Sequence, residues 1–225
     1  MRKGDLRRQE LLAAVERLFL AKGYEATSVQ DILDDLRISK GGFYHYFATK
    51  EDVLKQVVAQ RAERAAAYAA RELDGLADGM ARINAVLRAY MPVRREEGDF
   101  LRMLTPLIER SEGRAMAMIY QDALMAQFLP MLRAETAAAS ATGLICPPVR
   151  GIEEAILQMA NCCWMTAAAE ASRARREGTP VDAGALLAGL ERYRRAIEVL
   201  LDAPYGSVEL LRVEEMAVVC ESIAR

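Results

Sequence analysis

The stretch from Thr27 to Leu54, TSVQDILDDLRISKGGFYHYFATKEDVL, restricts the fold more than any other part of the chain. Thr27 followed by Gln30 reads as a T-x-x-Q capping box opening a short helix. Val29, Ile32, Leu33 and Leu36 give that helix one apolar stripe, and Asp31, Asp34 and Asp35 lie opposite. Arg37-Ile38 makes a tight turn, and Ser39 caps a second short helix. Ile38, Phe43 and Phe47 recur at the spacing of an inward face. Thr49 with Asp52 caps a longer helix whose inner face carries Val53, Leu54, Val57 and Val58. Two short helices about a tight turn, braced by longer ones, form a helix-turn-helix, in which the second helix lies in the major groove of duplex DNA.

The glycine pair in the second short helix supports that reading. Gly41 and Gly42 each cost ~1 kcal/mol relative to alanine inside a helix. Either they mark a loop, or a partner must come close to the backbone, as DNA does. The expected DNA contacts are Ser39, Lys40, Gly41, Gly42, Tyr44, His45 and Tyr46 on this helix. Tyrosine hydroxyls and lysine ammonium groups suit phosphate oxygens. Thr27 and Ser28 at the start of the preceding helix are expected phosphate contacts, Thr27 also serving as a cap. Lys50 adds charge beside the backbone N–H groups that open the fourth helix.

Charge is split in the same sense. Residues 1–61 carry 11 Lys/Arg against 9 Asp/Glu, while residues 62–225 carry 19 against 23. A mildly basic head thus precedes an acidic body. A single histidine and four cysteines without a C-x-x-C pair give no support to a Cys/His zinc site. The adjacent Cys162 and Cys163 read as small buried residues rather than a thiol sensor. No H-E-x-x-H, G-x-S-x-G or Walker loop is present, so no catalytic residue, cofactor or metal is assigned and no enzyme is expected. The N-terminus has no apolar signal segment, and no apolar run reaches the ~18 residues of a membrane span. A cytoplasmic protein without a membrane partner is expected.

The rest of the chain is helical in pattern, with Ala, Leu, Arg, Glu and Met abundant and no sustained strand alternation. The first helix is expected over 5–22, with Leu11, Leu12, Val15, Leu18 and Phe19 on one face and Gly23 ending it. The fourth is expected to run to about residue 72. Further helices are expected at about 80–96, 100–111, 114–140 with a kink at Pro130, 150–177, 183–202 and 207–223. This is an all-α chain with an N-terminal three-helix DNA-binding domain, residues 1–49, and a larger helical domain, residues 50–225.

Taken together, LFLAKGYEATSVQDI followed by ISKGGFYHYFATKEDVL resembles the head of the TetR family of bacterial transcriptional regulators. The resemblance covers the first fifth to quarter of the chain. Family members usually carry a small residue, often glycine, in the turn, where this chain has Arg37. The resemblance implies an all-helical homodimer whose heads bind an operator and whose body binds a small molecule that alters DNA affinity. Most members repress and some activate. Two heads on successive major grooves imply a palindromic operator, with half-sites about 34–36 Å apart.

In the resembled family the two long helices near the C-terminus pair with their copies. By order along the chain, that role falls to 150–177, through Ile152, Ile156, Met159 and Cys163, and to 183–202, through Leu186, Leu190, Tyr193 and Ile197. An effector pocket is expected among the middle helices, lined by Phe100, Met103, Met118, Met125 and Trp164, with Gln121, Asp122 and Asn161 as orienting polar groups. Methionines at helical spacing fit an ordinary core equally. The expected function is a repressor released from its operator by a small, largely apolar effector. The alternatives are a transcriptional activator, or a DNA-binding recruitment protein without an effector.

Overall fold

In a computed structural model, which describes residues 3–91, 111–181 and 183–211, the chain is a stack of helices. They are α1 (Lys3–Lys22), α2 (Val29–Leu36), α3 (Lys40–Tyr46), α4 (Lys50–Asp74), α5 (Gly79–Tyr90), α6 (Ser111–Ala141), α7 (Glu153–Glu177) and α8 (Ala183–Leu201). The described residues contain no strand, and none of their helices is long and apolar enough to cross a membrane. The helix expected over 100–111 falls outside the described residues except at its last position.

Local chemistry sets the boundaries. Gly23 ends α1 at φ 87°, where its N–H donates to the Phe19 carbonyl at 2.8 Å. The capping box of α2 lies one residue later than the sequence suggests. Ser28 accepts from the Asp31 N–H at 3.1 Å, and the Asp31 carboxylate accepts from the Ser28 N–H at 2.7 Å. Thr27 is fully buried instead, and its hydroxyl donates to the Gly23 carbonyl at 2.6 Å. Gln30 pairs with Asp34. A carboxylate at the third position serves better than an amide, because its charge also meets the positive end of the helix dipole. α5 stops at Tyr90, earlier than the expected 96, with Met91 extended at ψ 131°. The next residue in sequence is Pro92, which disfavours helix at the residue before it. In α6 the helix continues through Pro130.

α4 is the spine. It packs on α1 at the head and on α5 and α6 in the body; α6 packs on α5 and α7, and α7 on α8. A single apolar core runs from Leu11 to Leu210. Val53, Leu54, Val57 and Val58 of α4 belong to its head end, and Ala62, Ala65, Ala69 and Leu73 continue it into the body.

Two ionic clusters clamp the spine. Near the head, Glu16 of α1 meets Arg61 of α4 at 2.6 Å, both buried, and Arg64 at 2.8 Å. At the other end, the Arg82 guanidinium donates to both carboxylate oxygens of Glu135 on α6, at 2.6 and 2.9 Å. The same guanidinium donates to the Leu73 and Leu76 carbonyls, which close α4.

The helix expected over 207–223 does not begin there. Residues 207–211 are not helical, and 212–223 lie outside the described residues. The Asn84 amide explains the difference. It donates to the Ser207 carbonyl at 2.8 Å and accepts from the Glu209 N–H at 2.9 Å, tying that stretch of chain to α5. The fully buried Glu198 carboxylate accepts from the Gly206 N–H at 2.8 Å and pairs with Arg194 and Arg195.

Candidate nucleic-acid interface

α3 exists because its two ends and its inner face are fixed. Ser39 accepts from the Gly42 N–H at 3.0 Å. Phe43 and Phe47 are buried with ring centroids 5.5 Å apart, and Ile38 packs beside them. Full burial of one such side chain is worth ~1.5–3 kcal/mol, enough to hold a seven-residue helix that propensity alone would not form. The turn before it closes with a pair of backbone bonds, Ile38 N–H to the Leu33 carbonyl and Arg37 N–H to the Asp34 carbonyl. Arg37 occupies left-handed space, at φ 51° and ψ 45°.

The opposite side of α3 is open. Lys40, Gly41 and His45 are exposed, Tyr44 is 49% exposed, and Gly42 and Tyr46 are half-buried. Tyr44 stands edge-on to Phe43, with centroids 5.3 Å apart, so the core ring fixes the outer one. His45 stands edge-on to Tyr46 in the same way. The two glycines differ. A Cβ at Gly42 would come within 3.3 Å of the Ser39 hydroxyl that caps the helix, whereas at Gly41 the nearest atom would be 4.0 Å away. The fold itself therefore accounts for a small residue at 42 but not at 41. Gly41 is free to let something outside the chain approach.

Other expected contacts are engaged elsewhere. The buried Thr27 side chain cannot reach a phosphate. The Ser28 hydroxyl is exposed but bonded to Asp31, whose carboxylate also pairs with Lys22 at 2.6 Å. Hydrogen bonds from Lys22 and then from Ser28 hold the Asp31 carboxyl well below its ordinary range. Lys50 is a brace, not a free cation. Its ammonium donates to the Tyr24 and Thr27 carbonyls, both at 3.0 Å, and lies 4.2 Å from the Tyr24 ring centroid. Arg37, which was not among the expected contacts, is exposed at the mouth of α3.

In the body, Phe100 and Met103 lie outside the described residues. Met118, at 63% exposed, and Asp122 both face solvent. Gln121 is half-buried and bonded to Gln158 of α7. Met125 and Asn161 are half-buried, and Trp164 is buried. Ile152, Ile156, Cys163, Leu186, Leu190 and Ile197, expected at an interface with a second copy, are buried within the single chain. Met159 and Tyr193 are half-buried. Helical period alone gives the buried stripe, and in a helix packed on both sides that stripe belongs to the chain's own core.

Residues 11–57 match the family of bacterial regulatory proteins of the tetR type. Over 51 residues the chain is 41% identical to an uncharacterized HTH-type transcriptional regulator in the lacX 3′ region of Lactococcus lactis subsp. lactis, covering 23% of this chain and 26% of that protein. Over 52 residues it is 40% identical to the HTH-type transcriptional repressor KstR2 of Mycolicibacterium smegmatis, covering 23% of this chain and 25% of that protein. The matched stretch thus spans about a quarter of either relative. Over its length the fold is similar to that of a transcriptional regulator FadR from Bacillus subtilis, solved in complex with stearoyl-CoA (TM-score 0.59, 14% identity, 82% of this chain and 96% of that one). It is also similar to Salmonella enterica GusR (TM-score 0.57, 16% identity, 90% and 99%). The head, residues 11–57, is thus that of the bacterial regulatory proteins of the tetR family, and the all-helical fold of the chain is one it shares with GusR and FadR.

Proposed function

We propose that the chain is a transcriptional repressor that holds duplex DNA through α3 and is released by a small, largely apolar effector bound in the body. The observation that carries this reading is the two-sided character of α3. Phe43 and Phe47 are buried, and Lys40, Gly41, Tyr44 and His45 stand open on the other side. KstR2, which the chain matches through its head, is named a repressor.

The head is residues 1–49 and the body 50–225, with α4 serving both. A homodimer sets two heads on a palindromic operator. The surface available for pairing is the exposed pair Gln158 and Cys162 on α7, together with Leu187 and Val199 on α8. The effector favours a conformation whose heads are wrongly spaced for successive major grooves, which lowers DNA affinity by population shift. The Glu16–Arg61 pair makes the head follow α4.

The test is operator binding by the full-length protein carrying Tyr44→Ala and Lys40→Ala together. Affinity for its own promoter DNA is expected to fall by about 100-fold with an unchanged circular dichroism spectrum, because an aromatic and a cationic group both leave the interface. The log–log salt slope should fall by about 0.9 for each phosphate that is no longer neutralised. Wild-type affinity in the doubly substituted protein would remove α3 from the interface.

A further inference from the structure

Tyr90 closes α5 with its ring edge-on to Phe128 of α6, centroids 5.5 Å apart. Its side chain is 1% exposed, and its hydroxyl has no hydrogen-bond partner among the described residues. A buried tyrosine hydroxyl normally finds one, and an unpaired buried group requires an explanation. Tyr90 belongs to the apolar core. Met91 follows it, Leu124 lies one turn before Phe128, and Cys163 and Trp164 are buried on α7, which packs on α5. Burial and then the neighbouring Cys162 push the Tyr90 hydroxyl up, and the same two causes push the Cys163 thiol up to about 12. Both groups are therefore neutral at physiological pH, and the hydroxyl keeps its proton to donate. Among the described residues the buried cation is Arg61, which is paired with Glu16. Arg88, two residues before Tyr90, is half-buried and already paired with Glu209 at 2.9 Å, and an unpaired charge in such surroundings is strongly disfavoured.

We propose that Tyr90 is the polar anchor of the effector site, donating its hydroxyl proton to the carbonyl oxygen of an uncharged, otherwise apolar molecule. This rests on the reading of the chain as an effector-controlled DNA-binding protein. The hydroxyl is left open in the free protein because the ligand completes it.

The experiment compares the full-length wild type with Tyr90→Phe, using 2-decanone and decanoate as probes in calorimetric titration and thermal melting, and promoter DNA in a gel shift. 2-Decanone should bind the wild type and raise its Tm, and bind Tyr90→Phe at least 10-fold more weakly. Decanoate should bind the wild type more weakly than the ketone. Without ligand, Tyr90→Phe should melt at or above the wild type, because an unsatisfied group has been removed; a hydroxyl with a hidden structural partner would give the reverse. Equal ketone affinity in both proteins, no ketone binding to the wild type, tighter binding of decanoate, or a lower Tm for the unliganded variant would each overturn the anchor. The gel shift separates the two levels. If both proteins bind DNA while the ketone ignores Tyr90, only the anchor fails; if neither binds DNA, the repressor reading fails.

Discussion

The head and the body differ in how their polar groups are satisfied. In the head, apart from the Lys50 brace and the Glu16 cluster, the helix ends are closed by local bonds. Ser28 with Asp31, Ser39 with Gly42 and Thr49 with Asp52 each close a helix end across three residues. Such caps leave the outer side of α3 uncommitted. In the body the bonds join distant parts of the chain: Arg82 to Glu135, Asn84 to Ser207 and Glu209, and Glu198 to the backbone at Gly206. The head is thus a small frame that presents a face, and the body a core locked from within. The difference bears on what each can do. A locally capped unit can be carried as a rigid piece, whereas a body held by a few long-range clamps can shift between packings when a ligand favours one.

The point where the two regimes meet gives the largest expected effect. Glu16 is buried on α1 and holds the buried Arg61 of α4. Glu16→Ala leaves that guanidinium without its carboxylate, and removal of one partner from a buried pair typically costs about 3–5 kcal/mol. Arg64 can swing to solvent and Arg61 cannot, so Arg61 bears the cost. Urea denaturation would measure it. A change below about 1 kcal/mol, no more than an exposed pair gives, would show that the head is not clamped to α4 by this contact.

Lys50→Ala comes next and separates a brace from a DNA contact. Its ammonium serves two carbonyls and a ring within the head. Hydrogen bonds to charged groups are worth ~1.5–3 kcal/mol, and an exposed cation–π contact adds ~0.5–1 kcal/mol. Because the site is half-buried, about 2 kcal/mol is expected, read as a lower urea midpoint without DNA. Unchanged stability with weakened operator binding would return Lys50 to the DNA face.

The same contrast explains what could be read from the chain. Helix periods, the Ser39 and Thr49 caps and the inward Phe43 and Phe47 were legible because each depends on residues within one or two turns. The α2 cap was displaced by one residue because Thr27-Gln30 and Ser28-Asp31 both place a hydroxyl three residues before a side-chain acceptor, and only the folded head buries the first threonine. The brace by Lys50 spans 23 and 26 residues to its two carbonyls, and no periodicity encodes it. The interface residues were not legible for a related reason. Ile156 and Ile197 mark an apolar stripe correctly, but a stripe does not say whether its cover is the same chain or another. Tyr90 gave no signal, since an unpaired hydroxyl is a property of three helices together.

A smaller effect tests the local cap. Ser28→Ala should cost about 1 kcal/mol, the usual worth of an N-cap. The pH dependence follows from Asp31, whose carboxyl is held low by Lys22 and then Ser28. A group with a depressed folded-state pKa stabilises the protein above its unfolded value and loses that contribution as pH falls through the folded one. The penalty of Asp31→Asn should therefore be constant from neutral pH to about pH 5 and shrink below about pH 4, where the unfolded carboxyl takes up its proton. A penalty that did not change on acidification would mean that the charge contributes nothing to the cap.

Arg37→Gly has the smallest expected effect on stability and divides the head's two demands most finely. Left-handed backbone costs a residue with a side chain ~1–2 kcal/mol, and glycine escapes that cost. Glycine also gives the unfolded chain more freedom, which offsets part of the gain. A net stabilisation of about 0.5–1 kcal/mol is expected, since the bonds Ile38 to Leu33 and Arg37 to Asp34 use backbone atoms that glycine keeps. The guanidinium itself is exposed beside α3, and the turn closes without it. If the glycine variant is more stable yet binds operator less tightly, with the salt slope smaller by about 0.9, the strained arginine is held for a phosphate. If stability rises and affinity does not move, the strain serves no contact, and the DNA-facing surface of the head narrows to α3 alone. A glycine variant less stable than the wild type would instead mean that the arginine side chain stabilises its own left-handed turn, making it part of the frame.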